Sequence, residues 1–123
     1  MEKIYTQNAP EAIGPYSQAV KVGGFVFTSG QIAIVPASAT VEATDIKGQT
    51  EQVCKNLVAV LDAAGTSIDK VVKTTCFLSD MADFAAFNEV YGSYFVSKPA
   101  RSCVAAKQLP KNVLVEIEVI AQV

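Results

Sequence analysis

The chain switches between two hydrophobic periods, and the switches mark its elements. Ile4 to Thr6 reads as a short strand, and the following Asn8-to-Pro15 segment is broken by Pro10, Gly14 and Pro15. Tyr16 to Val22 and Phe25 to Ser29 are β-prone runs on either side of Gly23-Gly24, a hairpin signal. Gly30 ends that hairpin, Gln31 to Val35 continues extended, and Pro36 to Thr44 has the composition of a loop. From about Ile46 the spacing lengthens: Val53, Leu57, Val60, Leu61 and Ala64 recur at three and four, which predicts a helix with one buried face and Gly65 at its C-cap. Val71 to Leu78 returns to period two, with Val72, Thr74, Cys76 and Leu78 expected on one face and Val71, Lys73, Thr75 and Phe77 on the other. Ser79-Asp80 can cap a second helix, in which Phe84, Phe87, Tyr91 and Tyr94 or Phe95 form an aromatic stripe read as core packing. Pro99 ends it, Ala100 to Ala106 is a strand, Gln108 to Asn112 turns around Pro110, and Val113 to Val123 is the longest strand.

The order β-β-β-α-β-α-β-β predicts an α+β sandwich: a mixed, mostly antiparallel six-stranded sheet with two helices on one face, in a single domain over residues 1–123. Such a sheet has a second face that nothing in the chain covers. In the last strand Val113, Val115, Ile117, Val119 and Ala121 share one side, and Leu114, Glu116, Glu118, Ile120 and Gln122 the other. If the first set meets the helices, Leu114 and Ile120 point to the open face, where a partner subunit could bury them. Composition supports that expectation: 50% of the residues are hydrophobic and only 18% charged, with a mean hydropathy of +0.30. A domain of this size leaves roughly a third of its unfolded-chain surface exposed, so a homo-oligomer is expected.

Charge and residue counts narrow the chemistry. There is no histidine, which removes Ser-His-Asp and Cys-His catalytic sets, His-ligated zinc and any imidazole base. Cys54, Cys76 and Cys103 are an odd, widely spaced set that gives neither a disulfide framework nor a Cys-x-x-Cys metal or redox site, so reduced thiols in a cytoplasm are the simplest expectation. Nothing resembles a signal peptide or an apolar run near the ~18 residues of a membrane span. A pI near 5.0 with scattered basic residues argues against nucleic acid as a partner.

Acid, base and anchor must therefore come from other residue types. Glu116 and Glu118, two apart on one strand face, lie ~7 Å from each other, a separation that suits paired acid/base work or plain solvated polarity. Arg101 follows Pro99-Ala100 and can hold a carboxylate through two parallel hydrogen bonds, although a single arginine is also an ordinary surface residue. Cys103 shares the Arg101 face and reads as a pocket-lining thiol, because no histidine is present to activate it. Tyr16 follows Gly14-Pro15 and could present a phenol from a turn or be a plain strand aromatic. Ser29-Gly30 permits close approach of the backbone to a ligand, or marks a bulge.

At these residues the chain resembles a known family. Asn8-Ala9-Pro10, Ile13-Gly14-Pro15-Tyr16-Ser17-Gln18-Ala19, Phe27-Thr28-Ser29-Gly30-Gln31, Phe84-Ala85-Ala86-Phe87-Asn88, Pro99-Ala100-Arg101-Ser102-Cys103-Val104 and Val115-Glu116-Ile117-Glu118 look, in order, like the RidA/YjgF (L-PSP, reactive intermediate deaminase) family. The resemblance implies a chorismate-mutase-like fold and a homotrimer with sites in the clefts between subunits. It also implies hydrolysis of 2-imino or 2-enamino acids, the products of PLP-dependent dehydratases, to 2-oxo acids and ammonia, as in 2-iminobutanoate/2-iminopropanoate deaminases. By the same resemblance Arg101 takes the substrate carboxylate and Glu116 the attacking water. Tyr16, Ser29, Gly30, Asn88 and Cys103 line the pocket, and Lys73 and Glu118 stay structural. No metal or cofactor is implied. The chain departs from the family pattern between Phe95 and Pro99, where only Val96-Ser97-Lys98 intervene, and in the Pro36-to-Thr44 loop, so pocket size is not carried over. Two other readings stand beside the deaminase: a non-catalytic 2-oxo or amino-acid-binding module, and an L-PSP-type endoribonuclease.

Overall fold

A computed structural model describes all residues 1–123. The main sheet has the strand order β1 (Glu2–Ile4), β2 (Ala19–Val22), β3 (Phe25–Thr28), β8 (Val115–Gln122), β6 (Val71–Leu78), β7 (Ala100–Ala105). Every neighbouring pair is antiparallel except β6 with β7, which run parallel because helix α2 (Phe84–Tyr94) makes the crossover between them. The other helix is α1 (Ile46–Ala63), and the two remaining strands, β4 (Ile34–Val35) and β5 (Thr40–Val41), pair only with each other. The expected class, mixed six-stranded sheet and pair of helices are all present, and no helix is long and apolar enough to cross a membrane.

Alternation along β8 organises the packing. Val115, Ile117, Val119 and Ala121 are buried and join Val53, Leu57, Val60 and Leu61 of α1 in the core, while Glu116, Glu118 and Ile120 face the opposite side. Register carries this phase across the sheet: Ile117 pairs with Cys76 and Val119 with Thr74 on the helix side, Glu116 with Phe77 and Ile120 with Phe27 on the open side. Phe25, Phe27 and Val22 are left 39%, 42% and 47% exposed, which gives the open face an apolar character.

Both ends of α1 are satisfied by local groups. Asp45 accepts from the N–H of Gly48, and at the other end Gly65, at φ 83°, donates its N–H to the Asp62 carbonyl while Thr66 donates to that of Leu61. That is a Schellman ending with Gly65 one residue past the cap, Ala64. Two buried amides tie neighbouring segments to α1: Asn56 Nδ2 donates to the carbonyls of Ile32 and Ile34 at 3.0 and 2.9 Å, and Gln49 Oε1 accepts from the N–H of Leu114 at 2.8 Å.

Several boundaries differ from expectation for identifiable reasons. The first strand lies at Glu2–Ile4, and Tyr16 to Gln18 leaves the sheet because the Tyr16 N–H turns back to the Gly14 carbonyl. A bulge between Val71 and Lys73 reverses the predicted phase there, burying Val71 against Ala121 and turning Val72 outward. Gln31 makes only an isolated bridge to Ile117, and the supposed loop after Pro36 contains β5. Val113 and Leu114 precede the last strand, and Asp80 caps a 3₁₀ turn, Met81–Asp83, that leads into α2.

Leu57 is fully buried between α1 and the sheet, so Leu57→Ala should remove about 3 kcal/mol of stability, measured by chemical denaturation. The outward-turned Val72→Ala should change it by less than about 1 kcal/mol.

Candidate functional site

The predicted site residues fall into two groups on opposite faces of the sheet. On the open face Glu116 stands at the side of a cavity of about 500 Å³, lined also by Tyr16, Ser29, Gly30, Gln18, Gln31 and Lys111. A Cβ at Gly30 would collide with the Glu116 carboxylate. The glycine therefore admits the glutamate itself, a closer reason than the approach of a ligand. Burial pushes the Glu116 carboxyl above its ordinary 4.5, and the like charge of Glu118 adds to the shift; no hydrogen-bond donor of the chain offsets either effect. Ser29 is held by its hydroxyl, which donates to the Ser17 carbonyl at 2.6 Å, and by its N–H on the Gln18 carbonyl. Tyr16 is 51% exposed at the cavity wall.

The second group sits on the helix side, at the edge strand β7. Arg101 pairs in register with Thr74 and Cys103 with Cys76, so both side chains take the phase of the buried face. The Arg101 guanidinium lies over the rings of Tyr91, at 4.8 Å from the centroid, and Phe84, at 5.3 Å. Its Nη1 donates to Asn88 Oδ1 at 2.7 Å. Since guanidinium can only donate, this bond fixes the amide's orientation and turns Asn88 Nδ2 out as a further donor. Tyr91, Val96, Lys98 and Pro99 line a cleft of about 440 Å³ beside Arg101, so the short link after α2 forms one of its walls. Burial raises the Cys103 thiol and the Arg101 charge only partly opposes it, so it is not an activated nucleophile, and neither Cys103 nor Asn88 lines the cleft itself; the deeper Cys76 is pushed up to about 12.

The structure thus joins Tyr16, Ser29, Gly30 and Glu116 in one group and Asn88, Arg101 and Cys103 in another, with the sheet between them. Gln18, Gln31 and Lys111 were not singled out from the sequence. Gln18 is buried and pins the Pro-rich segment: its Nε2 donates to the carbonyls of Thr6 and Pro10, and its Oε1 accepts from the Thr6 N–H. A long amide between two small residues, Ser17 and Ala19, beside a Pro/Gly-rich stretch was the available signal.

The family model described as Endoribonuclease L-PSP matches residues 6–123. The chain belongs to the RidA/YjgF family. It is 55% identical to a RutC family protein of Pyrococcus horikoshii, over 98% of this chain and 96% of that one. It is 47% identical to the 2-iminobutanoate/2-iminopropanoate deaminase of Salmonella typhimurium, over 96% and 94%. The crystal structure of the E. coli YjgF gene product superposes with a TM-score of 0.94 at 44% identity, covering 99% of this chain and 98% of that one.

Gly30→Ala should displace the Glu116 carboxylate without unfolding the chain, since the clash is with the far end of a side chain. Nuclear magnetic resonance titration of the Glu116 carboxyl should show a changed pKa in this variant while the melting temperature moves by only a few degrees.

Proposed function

We propose that this RidA/YjgF protein hydrolyses small 2-imino acids, in equilibrium with their enamines, to 2-oxo acids and ammonia, with 2-iminobutanoate as the test substrate. One observation carries the reading: a guanidinium seated on two rings with part of its donor edge free, and a half-buried carboxylate that no donor of the chain neutralises. A protonated imine is already an electrophile, so the work left to the protein is to hold the substrate carboxylate, place a water about 3 Å from the carbon and accept its proton. Arg101, aided by Asn88 Nδ2, takes the carboxylate. Glu116 takes the proton from water as the C–O bond forms and passes it to the amine of the tetrahedral amino alcohol; the C–N bond then breaks as the hydroxyl gives up its proton, releasing ammonia and leaving the 2-oxo acid. The relative named as a deaminase supports this assignment.

In this reading the Glu116 group and the Arg101 group are two half-sites; they lie on opposite faces, so one chain cannot close them on one small molecule. An assembly that presses the open face of one subunit against the β7 edge of the next completes the cleft and covers Phe25 and Phe27; a homotrimer with three such clefts meets both needs. Mixing Arg101→Ala with Glu116→Gln subunits should then restore part of the activity that each variant lacks.

Coupling the protein to threonine dehydratase and following 2-iminobutanoate decay tests the reaction. Arg101→Ala should lower kcat/KM by about a hundredfold or more. Glu116→Gln should lower kcat by 10²- to 10⁴-fold, roughly the share of a general base, while leaving 2-oxobutanoate binding intact. If Glu116→Gln turns over as fast as the natural chain, Glu116 is not the base; if the natural chain itself binds 2-oxobutanoate but does not accelerate the decay, the protein is a 2-oxo-acid-binding module. The rate should fall at low pH along a limb centred above 4.5, because burial raises the carboxyl. The same shift has a stability sign. With its folded pKa above its unfolded one, Glu116 favours the fold below the unfolded value and loses that contribution as pH rises through the folded one. Glu116→Gln should therefore melt no lower than the natural chain at neutral pH.

A further inference from the structure

We infer that Tyr91 and Phe84 are positioning residues for Arg101: their rings hold the guanidinium in its carboxylate-binding pose before any ligand arrives. This rests on the reading of Arg101 as the carboxylate anchor. Arg101 belongs to an edge strand, and its long side chain would otherwise sample many rotamers. Here its guanidinium carbon lies over both rings, at 4.8 and 5.3 Å from their centroids, and Asn88 holds one nitrogen. What stays free is the N–H edge, the part that matches a carboxylate.

The platform is itself locked. The Tyr91 hydroxyl bonds Thr74 Oγ1 at 2.8 Å, and its ring stacks on Phe95 at 4.4 Å and tilts against Phe87 at 5.4 Å. Thr74 is the register partner of Arg101, so the ladder position that sets the arginine on β7 also sets, through β6, the ring beneath it. Phe84, Asn88 and Tyr91 are spaced four and three apart and so rise on one side of α2. A tyrosine that served the core alone would satisfy its hydroxyl on Thr74 and need no cation above it; a ring shared between core and guanidinium explains both contacts. Pre-ordering removes a rotamer loss that the ligand would otherwise bear, so it acts on affinity rather than on the chemical step.

The test is a double-mutant cycle on the full chain, reading 2-oxobutanoate affinity by calorimetry and KM and kcat for 2-iminobutanoate. Tyr91→Leu should weaken binding and raise KM by about tenfold, equivalent to ~1.4 kcal/mol, with kcat changed less than about twofold. Tyr91→Phe keeps the ring and should bind within about twofold of the natural chain while melting lower for want of the Thr74 bond. In the Arg101→Ala background Tyr91→Leu should change kcat/KM no further. Phe84→Leu, at a half-buried position, gives the same readout should Tyr91→Leu fail to fold. Tyr91→Leu or Phe84→Leu variants that melt lower yet bind normally would overturn the inference and return the rings to plain core packing, as would an effect that persists without Arg101. If Arg101→Ala alone leaves binding and turnover unchanged, the anchor reading fails first, and the positioning role falls with it.

Discussion

Everything in this fold depends on the phase of one strand. β8 lies between β3 and β6, and its odd-numbered residues, from Val115 to Ala121, are buried under the helices while Glu116 and Glu118 look the other way. A slip of one residue would drive both glutamates into the apolar core and expose four core side chains, so the register is strongly specified. Because the neighbouring strands are paired to β8 residue by residue, that single phase decides which side of the sheet each candidate side chain occupies. The acid is placed on the open face by the same alternation that builds the core.

The buried polar groups do different work from the apolar ones. Thr74, Asn56, Gln49 and Gln18 are all buried, and each hydrogen-bonds a group on another part of the chain. Asn56 holds the Ile32–Ile34 segment beside the Glu116 cavity, Gln18 holds the Pro10 segment on its other wall, and Thr74 holds Tyr91. No buried side-chain polar atom is left without a partner, as expected where each unmade bond would carry a desolvation penalty of about 1–3 kcal/mol. Burial thus sets where the layers sit, and hydrogen bonds set where the cavity walls sit.

Charge is used sparingly and at places that matter. The chain has a single ion pair, Lys47 with Glu89, solvent-exposed between the two helices, a contact of the kind that contributes little. The guanidinium of Arg101 has aromatic faces and an amide for partners, and the carboxylate of Glu116 has no cation. Opposite charges kept apart by a sheet cannot neutralise each other, so each keeps its charge unpaired within the chain.

Much of this was legible along the chain. Hydrophobic spacing marked both helices, the Gly23-Gly24 hairpin and the long strands, and the alternation in Val113-to-Val123 already separated Glu116 from the core, because these are properties of residues a few positions apart. Motif residues at Tyr16, Ser29-Gly30, Asn88, Arg101 and Glu116 pointed to the family, since their order and identity do not depend on packing. Contacts between distant segments supplied the rest. The bulge that exchanges Val71 for Val72 follows from pairing with β8, and Tyr16 leaves the sheet because its turn and the Gln18 bonds compete successfully with a strand. The parallel pairing of β6 with β7 is what puts Arg101 on the helix side, over rings that the spacing alone assigns to the core. Periodicity gives each strand its two faces, but only register against its neighbour says which face is which, and the separation of Arg101 from Glu116 is a matter of register.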